Sequence, residues 1–508
     1  MKKYIFKSFC CLALVLSCDK TLDQTNPNTL TPDNFWQTEA DATSAIVGAY
    51  SPLSTIFYHG RIWSGHEISR SDEIFFQGDF PSATSIFNTN PTDGNFTASF
   101  SEMWKVIFRA NLVLQNVPDI DMDATLKDNI LGEAYFLRAL QYFTLVNHWG
   151  SVPLVIQPAE SLAETQQAPA SEAEIWQQIK DDLDAAITLL PSSWDNDNKG
   201  RVVKASAAAM LGKSHLFLEE WGDAATQFKR IIDGEFGTFE LMDDYGDNFK
   251  STTENNSESI FEIQFDATGA WTAGWGSDVQ STARYNSYEA DLSTRSASRM
   301  NTWVFELFTR ETNIDGDIDP RAFETLVWDY PDAPFFNDRL FADVYEADLA
   351  AYALDPTLRM PLQNAKYVDI TGAIPAFNTS PNNKRVIRFA DVLLMHAEAE
   401  NEANGPTTDA YTSINRVRAR ATMPDIPSGL SQADFRQRVR DERVLELCNE
   451  SHRPLDLKRW GILSSTFLAH PEYRPAVILY QPGRELLPIP ELELNTNPNW
   501  NTQNEGYN

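Results

Sequence analysis

Two tryptophans, Trp271 and Trp275, stand in the glycine-broken run Thr268-Gly269-Ala270-Trp271-Thr272-Ala273-Gly274-Trp275-Gly276. Flanking glycines make burial of both rings in a core unfavourable, so their flat faces are candidates for stacking on an apolar ligand surface. A second stretch, 58–97, mixes Gly, Ser, Asp and Asn with aromatics and shows no clear period. It reads as a long loop, and loops of that length are usually functional or disordered. Trp63, Phe76 and Phe80 are its stacking candidates, with Asp72, Glu73 and Gln77 as polar partners. Tyr285, Tyr288, Trp303 and Trp328, later in the chain, are weaker stacking candidates. Trp303 opens a helical pattern with Phe305, Leu307 and Phe308 and is read as core. Trp104, Trp149, Trp176, Trp221 and Trp460 fall in helix patterns and are read as packing rings.

Catalytic and metal chemistry find weaker support. His396-Ala397-Glu398-Ala399-Glu400 lacks the second histidine of a zinc-protease helix. Asp315-Gly316-Asp317-Ile318-Asp319 begins like a calcium loop, but Pro320 occupies the glycine position and Leu326 the final acid position, so it reads as a surface turn. Glu442, Arg443, Glu446 and Glu450 lie one turn apart on a helix. Acids mixed with arginine at that spacing form structural ion pairs, with Arg138, Arg416 and Arg418 as candidate partners. Neither a metal site nor a cofactor is expected.

The elements that must carry these residues are mainly helices. Ser171 with Glu174 forms a capping box, opening a helix that runs to Leu190-Pro191. Ala205, Ala208, Ala209, Leu211, Gly212, Leu216 and Phe217 give one helix a small-residue face. After a break at Trp221-Gly222, Ala224, Ala225, Phe228, Ile231 and Ile232 form a second. A similar pair occupies 388–421, with its break at Asn404-Gly405-Pro406, and 128–149 with 171–190 makes a degenerate third. Two helices joined by a short turn, one with small residues on its packed face, is tetratricopeptide geometry. Such pairs stack into an α-α superhelix with one continuous core. The expected fold is therefore mainly α, a tetratricopeptide-like helical-pair scaffold over 34–236 and 388–470. A loop-rich insertion at 237–387 with few short strands forms an irregular half, and Ser259–Phe265 alternates like a strand.

The N-terminus assigns a compartment. Lys2, Lys3 and Lys7 precede a short apolar run ending Leu16-Ser17-Cys18, which reads as a signal peptide over 1–17 with Cys18 as the acylated mature end. Residues 18–33 then form a polar, proline-punctuated tether. No later run is long and apolar enough to span a bilayer. The formal charge is −31, and removal of three lysines with the signal makes the body more acidic still. Such a surface repels phosphate backbones and argues against nucleic acid. Of four cysteines only Cys448 would remain free in the body, so no internal disulfide is expected. Cys448 reads as a small buried hydrophobe in an amphipathic helix pattern.

Ordered motifs run along nearly the whole chain: Phe35-Trp36, Gly48-Ala49-Tyr50, Glu133-Ala134-Tyr135-Phe136-Leu137-Arg138-Ala139 and Gly150-Ser151-Val152-Pro153-Leu154. Asp319-Pro320-Arg321, Arg388-Phe389-Ala390-Asp391, Asn415-Arg416-Val417-Arg418-Ala419-Arg420, Glu442-Arg443-Val444-Leu445-Glu446 and Leu487-Pro488-Ile489-Pro490 follow in order. Together they resemble the SusD/RagB family of outer-membrane lipoproteins. Phe389 stands where the family often has Tyr, keeping the ring and losing a hydroxyl. The resemblance implies a lipid-anchored glycan-binding protein at the cell surface, seated as a lid on a SusC-like TonB-dependent transporter. A sugar presents a C–H face to flat aromatics and hydroxyls to Asn, Asp, Gln and Arg. The expected glycan contacts are therefore Trp271, Trp275, Trp63, Phe76, Asp72 and Tyr288. Few cations lie near Trp271 and Trp275, which favours a neutral glycan such as laminarin, although Arg284, Arg295 and Arg299 count against it. Two alternatives stay open: a glycoside hydrolase, which needs facing carboxylates, and a lid without glycan affinity of its own.

Overall fold

The computed structural model describes residues 35–76, 81–85, 87–265, 298–368, 381–470 and 483–507. Nine helices carry the scaffold: α1 Glu39–Tyr50, α2 Gly94–Asn116, α3 Ala124–Trp149, α4 Glu172–Leu189, α5 Lys204–Phe217, α6 Trp221–Ile232, α7 Phe389–Asn404, α8 Thr408–Arg420 and α9 Gln432–Leu447. Six of their starts are set by side chains that satisfy free backbone N–H groups, those of α1–α4, α8 and α9. Thr38 and Asp41 form a capping box on α1, Asp93 caps α2, Asp123 caps α3, and the Ser171–Glu174 box opens α4 as expected. Gly150 ends α3 with φ at +73°.

The helices pack in chain order. α2 lies on α1 and α3, α4 on α3 and α5, α6 on α5 and α7, and α7 also on α8 and α9. This is the tetratricopeptide-like superhelix, with the degenerate pair realised as α3 against α4. The small-residue face of α5 explains its closest contact. A Cβ at Gly212 would meet the Phe228 ring of α6 at 2.7 Å, so only glycine permits this approach. One detail differs from the sequence reading. The turn between α5 and α6 falls at 218–220, with Glu219 at φ +58°, and Trp221 is already helical.

The stretch 58–97 is not an open loop. It contains helix Ile62–Ser69, strand β1 Ile74–Phe76 and helix Pro81–Ser85, and most of its described residues are buried. Its short elements are each below the length at which periodicity is readable, but together they fill space beside α2 and α3.

The irregular half is built from short elements. Strand β2 (Ser259–Ile263) appears as expected and pairs antiparallel with the last strand, Lys384–Arg388. β3 (Ser298–Met300) pairs with β1, and β4 (Leu326–Val327) pairs with β5 (Gln363–Asn364), which makes Lys384–Arg388 β6. Among the described residues the sheets are two-stranded, so none is a core by itself. A large hydrophobic core runs through the scaffold, and smaller clusters sit under the irregular half. Among the described residues no helix is long and apolar enough to cross a membrane.

Candidate functional site

The carboxylates that could suggest catalysis are committed to arginines. Glu446 of α9 accepts from Arg388 of β6 at 2.5 Å on one oxygen and from Arg321 at 2.9 Å on the other, and Arg420 of α8 reaches the first as well. Glu450 takes Arg388 at 2.9 Å on both oxygens and the buried Lys366 at 2.9 Å. Glu442 is held between Arg321 at 2.7 Å and Arg418 at 2.8 Å. Burial pushes the Glu446 carboxyl up, but Arg420, Arg388 and Arg321 outweigh it and hold it well below the ordinary range. These are structural ion pairs, as the spacing implied. Arg418 is a partner, whereas Arg138 is instead bidentate to Asp182 at 2.8 and 2.6 Å, and Arg416 lies over the Phe389 ring. Asp319 of the calcium-like turn spends both oxygens on Arg321.

Two expected glycan contacts are corrected by their surroundings. Trp63 is fully buried, stacked on Trp149 with centroids 5.2 Å apart and edge-on to His148 at 4.8 Å. A ring enclosed on the scaffold core cannot offer a face to a ligand. Asp72 is 2% exposed, and its carboxylate is bidentate to Arg453 at 2.8 Å. Its carbonyl accepts from Asn301 and from the Trp303 indole. Asp72 therefore ties the start of β1 to the helix at Arg453–Arg459. Phe76 ends β1 opposite Ser298, where the chain returns from residues 266–297. Trp271, Trp275 and Tyr288, with Tyr285, Arg284 and Arg295, lie outside the described residues, as do Cys18, Gln77 and Phe80. Arg299, one of the cations set against a neutral ligand, is paired to Asp348 at 2.9 Å.

The irregular half holds a cleft of about 610 Å³, a size suited to a small ligand or a short oligomer. Its floor is two buried rings, Phe249 and Tyr367, in edge contact at 5.0 Å. Its wall is accessible: Phe323 is 43% exposed and Tyr330 half-buried. Phe323 packs on Trp328 at 5.0 Å and edge-on to Tyr330 at 5.3 Å, so each ring is held by another. The short helix Arg321–Thr325 sets Phe323, and Arg321 anchors that helix to α9. Lys250, Glu324 and Asn382 supply charge and amide groups on the rim, beside the exposed Ser251 and Thr252 hydroxyls.

Asn382 donates to the carbonyls of Phe249 at 3.1 Å and Tyr367 at 3.0 Å, closing the cleft at one end. Next to it, Asn383 accepts from the Phe265 N–H at 2.7 Å. Phe265 is where the chain leaves toward Trp271 and Trp275. The cleft and the root of the tryptophan-rich stretch are thus hydrogen-bonded neighbours.

Comparison with known proteins decides the family. Residues 257–507 match the profile of the "SusD family", and residues 20–216 match one described as "Starch-binding associating with outer membrane". The chain belongs to the SusD/RagB family. SusD-like protein P25 of Formosa agariphila is 28% identical over 524 residues, covering 97% of this chain and 96% of that protein. A SusD superfamily protein of Bacteroides vulgatus superposes with a TM-score of 0.79 at 26% identity, covering 93% of this chain and all of that one. A "Laminarin binding SusD-like protein" superposes with a TM-score of 0.74, also at 26% identity, with the same coverage. The chain is thus a member of a glycan-binding family.

Sequence reasoning did not pick out Phe323, Tyr330, Phe249 or Tyr367. A signal was present in the density of rings over 323–336, where Phe323, Trp328, Tyr330, Phe335 and Phe336 alternate with Asp and Pro. Phe335 and Phe336 are buried in their own cluster, so density alone does not separate wall from core.

Proposed function

We propose that this SusD-like protein is a cell-surface glycan-binding lipoprotein. It captures an oligosaccharide or polysaccharide and delivers it, as a lid, to a SusC-like TonB-dependent transporter. The cleft carries the reading. Accessible rings stand beside amide, hydroxyl and charged groups, at the root of the stretch holding Trp271 and Trp275. Phe323 and Tyr330 form the described wall, while Trp271, Trp275 and Tyr288 complete the contact surface, with Phe76 near the other root of that stretch. Acylation of Cys18 keeps the body at the outer membrane, and residues 19–33 give the lid its reach.

The ligand is a neutral glucan such as laminarin. Arg299 is neutralised by Asp348, which removes one objection to a neutral chain. A laminarin-binding protein of the same fold at 26% identity supports this choice. The protein is not an enzyme in this reading, because the buried acids of α9 are neutralised by arginine.

A glycan panel tests it, watching both retardation in glycan-containing gels and release of reducing ends. Retardation by laminarin without release is expected. Release of reducing ends would overturn the reading in favour of a hydrolase, and absence of retardation by every glycan would leave a lid without affinity of its own. Trp271→Ala or Trp275→Ala is expected to weaken binding by about 1–3 kcal/mol.

A further inference from the structure

A second cleft, of about 270 Å³, lies between the loop joining α4 to α5, the 237–239 turn and strand β2. It shares no described lining residue with the larger cleft. Its central ring is Trp194, half-buried in the polar run Ser192-Ser193-Trp194-Asp195-Asn196-Asp197-Asn198-Lys199-Gly200-Arg201. The scaffold tryptophans Trp149 and Trp176 belong to the hydrophobic core, and Trp194 belongs to none of the described clusters. Core packing therefore does not account for an indole at this place.

The ring is nevertheless fixed. Its N–H donates to the Val202 carbonyl at 2.8 Å, and the Arg201 guanidinium lies over it at 4.0 Å. Arg201 is held in turn by both oxygens of the buried Glu133 and by Asn198 at 2.8 Å. Asp195 closes the loop by accepting from the Asn198 N–H at 3.0 Å. Gly200, at φ +97°, lets the loop pass Gln264, whose side chain would lie 2.6 Å from a Cβ there. A pre-set indole costs little entropy on binding.

Arg201, Asn255 and Glu262 of the lining have partners, but other polar groups there are uncommitted. The hydroxyls of Ser192, Ser193 and Thr238 and the Lys199 ammonium have no partner among the described residues. Glu262, the acid of the lining, is buried and faces Arg385 at 3.3 Å. An aromatic wall with several free hydroxyls and one free ammonium matches a sugar ring with its apolar face and hydroxyl rim. The volume, about 270 Å³, suits one ring with some water inside the cleft.

We propose that this cleft is a second carbohydrate site, taking a single pyranose residue such as a chain end or branch. It rests on the reading of the protein as a glycan binder, and gives it a second foothold on a ligand held in the larger cleft.

The test is ligand-observed saturation-transfer NMR on the mature chain from residue 19 onward. The probes are the methyl glycosides of glucose, galactose, mannose and xylose. Three proteins are compared: wild type, Trp194→Ala, and Thr238→Trp, which fills the cleft from an exposed position without touching the core. A fourth, Phe323→Ala with Tyr330→Ala, disables the larger cleft. Expected is a signal from at least one glycoside that falls at least fivefold in both small-cleft variants and survives in the fourth. A signal that persists in Thr238→Trp, one that is lost in the Phe323/Tyr330 variant alone, or no signal in wild type overturns the proposal. Laminarin titrated separately reports the main reading, so the two fail independently.

Discussion

The scaffold and the irregular half are held by different physics. In the scaffold, long helices bury continuous apolar faces: Trp63 on Trp149, Phe228 on Gly212, Phe143 edge-on to Trp176 at 5.5 Å. In the irregular half no described element exceeds nine residues, so no face is long enough to do this alone. Its segments rest on small apolar clusters and are pinned as well by buried charges that converge on α9 and the turn after it. Arg321, Lys366 and Arg388 arrive from three separate segments and meet Glu442, Glu446 and Glu450. Directional charge pairs locate short segments without consuming their aromatic rings. Phe323, two residues after Arg321, is thereby left to face the cleft. A scaffold of pure apolar packing would have swallowed it.

The largest effects should come from breaking each half's own device. Arg388→Leu leaves Glu258, Glu446 and Glu450 without their shared cation, and should cost about 3–5 kcal/mol in chemical denaturation. Trp63→Ala removes a fully buried ring and should cost a similar ~3–5 kcal/mol, with glycan affinity of the folded protein unchanged. A loss of affinity in Trp63→Ala at full folding would return that residue to the binding surface and blur the distinction between the halves.

A smaller effect sits at the seam. Glu73 is buried beside Asp72, accepting from the Asn449 N–H at 3.2 Å, and burial pushes its carboxyl up to about 7. Its ordinary value in the unfolded chain is 4.5. The fold thus prefers the protonated acid. The stability this gives is full below about pH 4.5 and is lost as pH rises through 7. Glu73→Gln keeps the shape without the proton. It should gain about 1–3 kcal/mol over wild type at pH 8 and almost nothing at pH 4, read from urea midpoints at both pH values. Equal midpoints at pH 8 would show that Glu73 ionises there without penalty.

The two halves also differ in how far the sequence reveals them. Helix pairs such as α5–α6 are local, so their periodicity, caps and small-residue face are all readable within about thirty residues. The acids on α9 announced an ion-pair network by their spacing, and Arg418 was identifiable as a partner. Arg388 and Arg321 were not, because they lie 58 and 125 residues from Glu446, and only topology brings them together. The same distance hides the cleft. Phe249, Phe323 and Tyr367 come from three segments, none distinctive alone. The reading of 58–97 as a loop failed for a related reason. Its helix and strand are too short to show a period, and polar residues such as Asp72 are buried there by long-range partners, in that case Arg453.

The claim that the charge-pinned half exists to present an aromatic wall is tested most directly by one titration. Laminarihexaose is titrated calorimetrically into wild type and into Phe323→Ala with Tyr330→Ala, with thermal unfolding recorded for both. Affinity in the double variant should be at least tenfold weaker, a loss of about 1.4 kcal/mol or more, with the unfolding midpoint nearly unchanged. Equal affinity in the two proteins would contradict the claim.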